Sequence, residues 1–432
     1  MLRPPLAVAA LAALVPAALL AQAPAPACDA GLAVPAGFCA QVFADRIGAA
    51  RHVVVARNGD VLVNTNPTRA GAESGTGSGP GGGIVLLRDS NRDGHADLVK
   101  NLGGGGGTGI AIGNGYLWAT DKNNVVRYHY AVGDTILGAA DTIVRNMPLG
   151  GHNAYNFVIN GNVLYLNVGS RTNSCQEQDR QNRSKGVDPC AELATRAGIW
   201  TFDANRPGQV AGDGERFATG IRNAVGLAWN GPAGELWTMM HGRDQLAINW
   251  GFSDDYNAEN PAEELLQLKL GDDFGWPYCY YSNELKKLVL APEYGGDGKL
   301  VGRCAEKKAP VYAFPGHWAP NDLLFYSGKQ FPEQWRNGAF VVFHGSWNRA
   351  PLVQDGFRVS FVPLKKAKAA GDARTFADGF AADFFKGKKG AAPPGPDVRN
   401  HRPSGIAQSP DGSLYVTDDL SGTVYKISYP RK

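Results

Sequence analysis

Five short motifs carry the side chains that could do chemistry, and histidine, arginine and asparagine recur in them. The motif at 150–153 contains His152, whose imidazole could accept a proton near neutral pH. The motif at 217–226 places Arg222 and Asn223 just before an apolar run. An arginine can bind a carboxylate through two parallel hydrogen bonds. Because a lone histidine is more often a hydrogen-bonded structural residue, the functional argument rests on the motifs taken together.

The other three motifs follow later in the chain, and each contains a histidine and an arginine. They are 240–244, with Gly242 and Arg243; 343–349, which ends at Arg349; and 400–405, with Arg402. In several motifs an arginine or a histidine lies at or just before a predicted strand. If those strands converge on one mouth, the motifs form a polar, arginine-rich pocket suited to a cofactor with several carboxylates.

The elements that must position these residues are predicted to be β-hairpins. A turn rich in Gly, Asn or Asp precedes a short run of β-forming residues six times, at 58–64, 113–119, 160–167, 232–238, 337–343 and 410–417. Helical periodicity is nearly absent, so the pattern predicts an all-β fold, a six-bladed β-propeller. Two β-sandwiches would also give six hairpins, but no linker divides the chain. The wide gaps between the third and fifth copies predict elaborated loops on the active-site face.

The chain resembles the family of soluble glucose and L-sorbosone dehydrogenases that depend on pyrroloquinoline quinone (PQQ). The resemblance rests on His-Gly-Ser-Trp-Asn-Arg at 344–349, Gly-Trp-Pro-Tyr-Cys-Tyr at 275–280 and Gly-Ile-Arg-Asn at 220–223, and it covers nearly the whole mature chain. The sorbosone-type branch fits better than the glucose-type branch. The resemblance implies an enzyme with PQQ and Ca2+ as cofactors, which oxidises a sugar, a sugar aldehyde or a polyol by hydride transfer to the quinone.

The resemblance also implies roles for individual residues. His152 matches the general base of the family, and Arg222 and Asn223 match the pair that contacts the quinone. Gly242 and Arg243 match the two positions whose backbone carbonyls bind the calcium.

Two further arginines are implied to contact PQQ. Arg402 matches an arginine of the last blade, and Arg349 lies near a cationic contact from the fifth blade in a looser alignment. Two positions depart from the glucose-type branch: Ser404 replaces a second arginine, and Ser170 replaces an acidic residue beside the base. These departures put glucose in doubt as the substrate.

A separate segment, 89–97, has the Asp-x-Asn-x-Asp-Gly spacing of the start of a calcium loop. Lys100 stands at the twelfth position, where such a loop normally carries a bidentate glutamate. A second calcium site and an ordinary turn between strands both remain open.

The N-terminus predicts export. Residues 1–23 have the features of a signal peptide, leaving 24–432 as the propeller domain of a periplasmic or secreted protein with no membrane span. The six cysteines fall into three local pairs, Cys28/Cys39, Cys175/Cys190 and Cys279/Cys304, and pairing within each is the simplest of the possible connectivities. A zinc site is disfavoured because no CxxC spacing occurs.

The predicted partners are a small sugar or polyol and an external electron acceptor. No CxxCH motif is present for a c-type haem, so a separate cytochrome or quinone is needed to reoxidise PQQ. The net charge of +3, without basic runs interleaved with aromatic residues, argues against nucleic acid. Two alternatives remain: a metal-dependent lactone hydrolase on a six-bladed propeller, and a non-catalytic propeller that binds a partner or a glycan.

Overall fold

In the described part of the chain, six sheets with four antiparallel strands each are arranged as the blades of a propeller. The structure is a computed structural model and describes residues 28–67, 82–381 and 401–430. The first strand of each blade contacts the first strands of both neighbouring blades, so six inner strands close a ring around the axis. The predicted all-β, six-bladed fold is therefore confirmed. The predicted signal peptide, residues 1–23, lies outside the described residues.

The strands of each blade follow one another in chain order from the axis outward. Their bounds are Ala49–Val55, Val61–Asn66, Gly83–Arg88 and Leu98–Gly103 in blade 1; Ile110–Gly113, Tyr116–Asp121, Asn124–His129 and Ala140–Arg145 in blade 2; Phe157–Asn160, Val163–Val168, Gly198–Asp203 and Glu215–Thr219 in blade 3; Leu227–Asn230, Glu235–Met240, Glu263–Leu268 and Tyr312–Phe314 in blade 4; Pro320–Phe325, Gly338–Phe343, Arg358–Lys365 and Arg374–Ala377 in blade 5; and Pro403–Gln408, Leu414–Asp418, Val424–Ser428 and Cys39–Ala44 in blade 6.

Chain closure joins the two ends of the described sequence in one sheet. The strand Cys39–Ala44 pairs antiparallel with Val424–Ser428, so the N-terminal strand completes the blade begun by the C-terminal strands. Hydrogen bonds between the ends of the chain close the ring. Two short segments, Gln209–Val210 and Asp272–Asp273, add parallel edge strands to blades 2 and 3, and Lys368–Ala369 pairs with the end of Arg358–Lys365.

All six predicted hairpin signals coincide with the turn into the second strand of a blade. In blade 2 the turn consists of Asn114 and Gly115, with φ of 55° and 79°. Asparagine and glycine tolerate this left-handed backbone, and such a turn matches the twist of the flanking strands. Local turn chemistry therefore sets where each blade folds back.

The core lies between the blades, because the strands are buried on both faces. In the second strand of blade 1, Val61 and Val63 pack against blade 6, whereas Leu62 packs against blade 2. Successive side chains of a strand point to opposite faces, so each strand contributes to two interfaces. Six hydrophobic clusters fill the six interfaces between neighbouring blades in this way.

The long connections predicted between the third and fifth hairpins are present in blades 3 and 4. They carry two short helices, α1 (Leu246–Trp250) and α2 (Asp254–Glu259), and a hairpin of Cys279–Ser282 and Lys287–Leu290. Single 3-10 turns occur at Ala191–Ala194, Ala211–Asp213, Pro292–Tyr294, Gly302–Glu306, Glu333–Trp335 and Trp347–Arg349. Within the described ranges, α1 and α2 have five and six residues, too short to cross a bilayer.

The cysteine pairing predicted from neighbouring positions is confirmed. Disulfides join Cys28 to Cys39, Cys175 to Cys190 and Cys279 to Cys304. The second and third close loops within the long connections, and the first ties the start of the described chain to the outer strand of blade 6.

Candidate active site

A cavity of about 780 Å³ opens on one face of the propeller, and five of the six blades line it. Its walls come from the segments that lead into the inner strands and from the ends of the second strands. Because these two strands are antiparallel, the entrance of one and the exit of the other lie on the same face. Residues far apart in the sequence therefore meet at one mouth, as the convergence of the motifs predicted.

His152 lines this cavity, just before the inner strand of blade 3. Its Nδ1 lies 3.0 Å from the carbonyl oxygen of Ser170 and 2.9 Å from Ser170 Oγ. A carbonyl only accepts, so Nδ1 carries the proton, and the Nε2 lone pair has no hydrogen-bond partner among the described residues. Burial, with the nearby positive charge of Arg222 as a second cause, holds the pKa of His152 well below its usual range. The imidazole is therefore neutral and able to accept a proton.

Asn223 lines the same cavity from the entrance to blade 4. Its Oδ1 is buried and has no hydrogen-bond partner among the described residues. Buried polar atoms are normally satisfied, so an unpartnered acceptor in a cavity wall indicates a place for a ligand donor. The structure therefore brings Asn223 and His152 together at one site.

Arg222 lies behind this wall and is engaged with the protein. Its guanidinium donates to the carbonyl and side-chain oxygens of Asn173, to the carbonyl of Gly242 and to the carboxylate of Asp244. Burial acts to raise the pKa of Asp244, but Arg222 and Arg180 outweigh it and hold that pKa well below its usual range. Asp244 thus stays ionised, and Arg222 orders the 242–244 turn. Its predicted contact with the quinone stays a prediction.

Gly242 and Arg243 follow the second strand of blade 4. The Gly242 carbonyl accepts from Arg222 Nη1 at 2.9 Å and retains a second lone pair, and the Gly242 N–H donates to Glu263 at 2.9 Å. The Arg243 side chain is buried against Glu293, with Nη2 2.7 Å from Oε1. In the part of the chain that the structure describes, no group of three or more histidines, cysteines or carboxylates could hold a metal. A calcium ion here would therefore depend on carbonyl oxygens, which are ligands it accepts.

A cluster of basic side chains surrounds Asp419 at the mouth of the cavity. Arg51 Nη1 and Arg402 Nη2 lie 2.7 Å and 3.1 Å from its carboxylate, and His344 Nε2 lies 3.0 Å from both oxygens. Burial acts to raise the pKa of Asp419, but His344, Arg51 and Arg402 together hold it well below its usual range. Arg51, His344 and Lys122 line the cavity itself. Two arginines and a lysine against one carboxylate leave the mouth positively charged.

The sequence analysis missed Arg51, Lys122 and Asp419 and treated His344 only as part of a family motif. Arg51 lies on the inner strand of blade 1, where no motif marked it. Asp419 follows the last predicted hairpin by two residues, and its position next to the 410–417 signal was the available clue. The Nε atoms of Arg51 and Arg402 are buried without a partner among the described residues, so both retain donor capacity.

The structure does not bring Arg349 to this cavity. Its guanidinium donates to the carbonyls of Ala258, Gly316 and Val353 and pairs with Glu259 at 2.9 Å. These bonds tie the 3-10 turn Trp347–Arg349 to α2. The predicted cofactor contact of Arg349 stays a prediction, and this geometry weighs against it.

The segment 89–97 connects the third and fourth strands of blade 1. The Asp89 carboxylate accepts from the N–H groups of Asp93 and Gly94, and the Asp97 carboxylate accepts from the N–H and the hydroxyl of Ser90. The loop's own donors bind these oxygens, as in an Asp/Asn turn.

The fold and the cavity define a six-bladed propeller protein with an axial site for an anionic ligand beside a neutral histidine. The model of the family described as TrAA12-like matches residues 32–430, and the chain belongs to this family.

Relatives and solved structures agree with that assignment. The chain is 29% identical over 295 residues to a pyrroloquinoline quinone-dependent pyranose dehydrogenase of Coprinopsis cinerea, covering 62% of this chain and 38% of that protein. It is 23% identical to an aldose sugar dehydrogenase of Escherichia coli, covering 76% and 71% of the two chains. The matches therefore cover about half or less of the length of the first curated relatives.

Solved structures show the same architecture. The PQQ domain of the Coprinopsis cinerea pyranose dehydrogenase in its holo form superposes with a TM-score of 0.70 at 20% identity, covering 92% of this chain and 97% of that one. A Trichoderma reesei protein of carbohydrate-active enzyme family AA12, in a calcium structure, gives 0.71 at 19%, covering 92% and 97%. The names of these relatives confirm the resemblance to PQQ-dependent sugar dehydrogenases.

Proposed function

We propose that the chain is a PQQ- and calcium-dependent dehydrogenase that oxidises an aldose or a sorbosone-type sugar. The family match and the names of the relatives support the PQQ-dependent sugar dehydrogenase class. The observation that carries the proposal is the placement of a neutral His152, with a free Nε2, in a cavity whose mouth carries Arg51, Lys122 and nearby Arg402.

The residues of the cavity fit a cofactor with several carboxylates. Arg51, Arg402 and Lys122 would bind carboxylates, because arginine forms paired hydrogen bonds and lysine supplies a compact charge. The unpartnered Asn223 Oδ1 would accept from a ring N–H. The carbonyls of Gly242 and Arg243 would hold the calcium ion. When bound, PQQ supplies the two-electron acceptor for the hydride that leaves the substrate carbon.

His152 performs the proton transfer. Its Nε2 accepts the proton of the substrate hydroxyl, and the Nδ1–H bond to Ser170 keeps the ring in the tautomer that can do so. Arg222 and Asp244 lie behind this wall and keep the turn at Gly242 in place. The chain therefore contributes the base, the binding groups and the ordered wall.

We also propose how this enzyme is placed in the cell. Residues 1–23 would be removed on export, leaving 24–432 as the enzyme in the periplasm or outside the cell. The three disulfides suit such an oxidising compartment. Electrons would leave to a separate cytochrome or quinone, because the sequence has no CxxCH site for a c-type haem.

The lactone hydrolase alternative requires a metal held by carboxylate and amide side chains. No such carboxylate cluster occurs within residues 28–67, 82–381 and 401–430, and the cavity mouth carries cations instead. A non-catalytic propeller would not need a neutral histidine in the cavity wall. Both observations favour the dehydrogenase.

Reconstitution tests the proposal. Purified apoprotein is mixed with PQQ, Ca2+, a panel of aldoses and a redox dye, and quinone binding is followed separately by absorbance. We expect dye reduction only when PQQ and Ca2+ are both present, and its loss when EDTA removes the calcium. Glu333→Gln, at an exposed position outside the cavity, is the control and should reconstitute like the parent. Activity with a nicotinamide cofactor and none with PQQ, or hydrolysis of lactones alone, would overturn the proposal.

A further inference from the structure

Glu263 is a buried acid that contacts the wall of the candidate active site. It begins the third strand of blade 4 and is 2% exposed. Its oxygens accept from two backbone N–H groups, Oε2 from Gly242 at 2.9 Å and Oε1 from Ala319 at 3.1 Å. Arg222 pairs with Asp244 instead, and within the described ranges no lysine or arginine forms an ion pair with Glu263. Burying an acid without a cation is costly, which indicates a role other than packing.

The two N–H groups that Glu263 binds belong to different blades. Gly242 follows the second strand of blade 4, and its neighbour His241 lines the cavity. Ala319 lines the cavity itself and leads into the inner strand of blade 5. A second link runs alongside, because His241 Nε2 lies 2.7 Å from the carbonyl oxygen of Pro320. One side chain therefore joins two neighbouring blades at the cavity wall.

Ala319 has a backbone conformation that requires such contacts. Its φ is 55°, in the left-handed region that a residue with a Cβ rarely adopts. Glu263 binds its N–H, and its carbonyl accepts from the N–H of His344 at 2.8 Å. Strained backbone persists only where the surrounding structure holds it, and it occurs mostly at functional sites. Glu263 is thus one of the groups that keep this wall in its shape.

The turn at Gly242 is held on three sides. Glu263 binds its N–H, and Arg222 Nη1 donates to its carbonyl at 2.9 Å. The third side is the backbone of Pro261 and Ala262, since a Cβ on Gly242 would lie 3.1 Å and 3.0 Å from their carbonyl oxygens. The direction of the remaining lone pair of the Gly242 carbonyl is therefore fixed. This carbonyl is a proposed calcium ligand, and the groups that orient a metal ligand tune the affinity for the metal.

We propose that Glu263 is a positioning residue for the cation of the active site. By holding the N–H groups of Gly242 and Ala319 together, it directs the Gly242 carbonyl toward calcium. Glu263 acts through the backbone and is not itself a ligand, since each of its oxygens accepts from an N–H group. The inference rests on the proposed function and adds a residue that lies outside the five motifs of the sequence analysis.

Glu264 provides the matched control. It is the next residue of the same strand, is 1% exposed, and points to the opposite face, because successive side chains of a strand alternate. Neither glutamate lines the cavity. Replacing either by glutamine removes one buried acid with little change in size, but only the Glu263 variant loses a contact with the cavity wall.

The experiment compares Glu263→Gln with Glu264→Gln. Glutamine keeps one acceptor oxygen and replaces the other by an amide group that only donates, so one of the two backbone N–H groups loses its partner in Glu263→Gln. EDTA-treated protein is mixed with PQQ and titrated with Ca2+, and the absorbance of the quinone is followed. We expect Glu263→Gln to weaken calcium binding about 10–100-fold, the effect typical of changes around a metal ligand. Glu264→Gln should bind calcium like the parent.

Thermal unfolding of the calcium-free proteins separates this effect from a general loss of stability. If Glu263→Gln does not fold, the same comparison is made in an Ala319→Gly background, because glycine adopts the left-handed conformation without strain. Equal calcium affinity in the two glutamine variants would overturn the role of Glu263, while the calcium dependence of the parent stands. If the parent itself binds no calcium, the calcium-dependent function fails, and the role of Glu263 fails with it.

Discussion

The Nδ1 of His152 lies 2.9 Å from the Oγ of Ser170 and 3.0 Å from its carbonyl oxygen. Ser170 in turn donates its N–H to the carbonyl of Arg222 at 2.7 Å. One serine therefore sets the tautomer of the histidine and connects it to the residue behind the cavity wall. Gly169 permits this approach, because a Cβ there would lie 2.4 Å from the carbonyl oxygen of His152.

The first prediction concerns the base. Replacing His152 by alanine should lower kcat by about 10²–10⁴-fold, because general-base catalysis contributes that much. PQQ affinity should change little, since the cofactor would be held by the arginines, Lys122 and calcium. Stopped-flow reduction of the bound quinone and a PQQ titration measure the two effects.

His344 lines the same cavity and provides the comparison. Its Nε2 is hydrogen-bonded to Asp419, whereas Nε2 of His152 has no partner in the described part of the chain, so His344→Ala should lose less turnover at saturating PQQ. If His344→Ala loses more turnover than His152→Ala, then His344 is the base and His152 has a structural role.

The second prediction concerns the pH profile. Only the neutral imidazole accepts a proton, so activity falls when the pH drops through the pKa of His152. Burial and Arg222 hold that pKa well below 6.5 in the free protein. We expect kcat/KM, which reports the free enzyme, to stay constant from pH 8 to below 6.5 and to decline only at more acidic pH. An acidic limb centred at or above pH 6.5 would contradict this assignment.

The third prediction separates two arginines that the sequence analysis treated alike. Arg402→Ala should weaken PQQ binding about tenfold or more, because a hydrogen bond between charged groups is lost at the cavity mouth. Arg349→Ala should leave PQQ affinity unchanged and lower the melting temperature, because its carbonyl contacts hold the 347–349 turn to α2. Quinone titration and thermal unfolding of both variants check these outcomes. Weakened PQQ binding in Arg349→Ala would refute the prediction that Arg349 does not contact the cofactor.

The fourth prediction concerns the loss of stability as the pH rises from about 4.5 to about 8. Glu264 is fully buried, and its Oε2 has no partner among the described residues. Burial, with the charge of Glu263 as a second cause, raises the pKa of Glu264 to about 8. The folded protein therefore holds the proton more tightly than the unfolded chain. The resulting stability is complete below the unfolded pKa of about 4.5 and is lost as pH rises to about 8.

Glu264→Gln cannot lose a proton from this site. Its melting temperature relative to the parent should therefore increase steadily as pH rises from 5 to about 8. Glu333→Gln, at an exposed glutamate, is the control for the loss of a carboxylate. A difference for Glu264→Gln that is constant across this range would show that Glu264 titrates normally.

The blades were predictable from sequence because the information for them is local. Each predicted turn places glycine or asparagine where the backbone must reverse, and the alternation of side chains buries both faces of the strand that follows. The disulfides were predictable for the same reason, since each joins cysteines 11 to 25 residues apart. The placement of His152 and Asn223 at the cavity followed from their positions just before inner strands.

Only the tertiary structure decided which cations reach the cavity. Arg51 and Asp419 are 368 residues apart and meet because the last blade closes against the first, and His344 joins them from blade 5. Arg349 carries the same charge and belongs to a recognised motif, yet it binds the carbonyls of Ala258, Gly316 and Val353 away from the cavity. The type and spacing of residues determined the strands and the candidate chemistry, whereas the direction of each long side chain depends on neighbours that ring closure supplies.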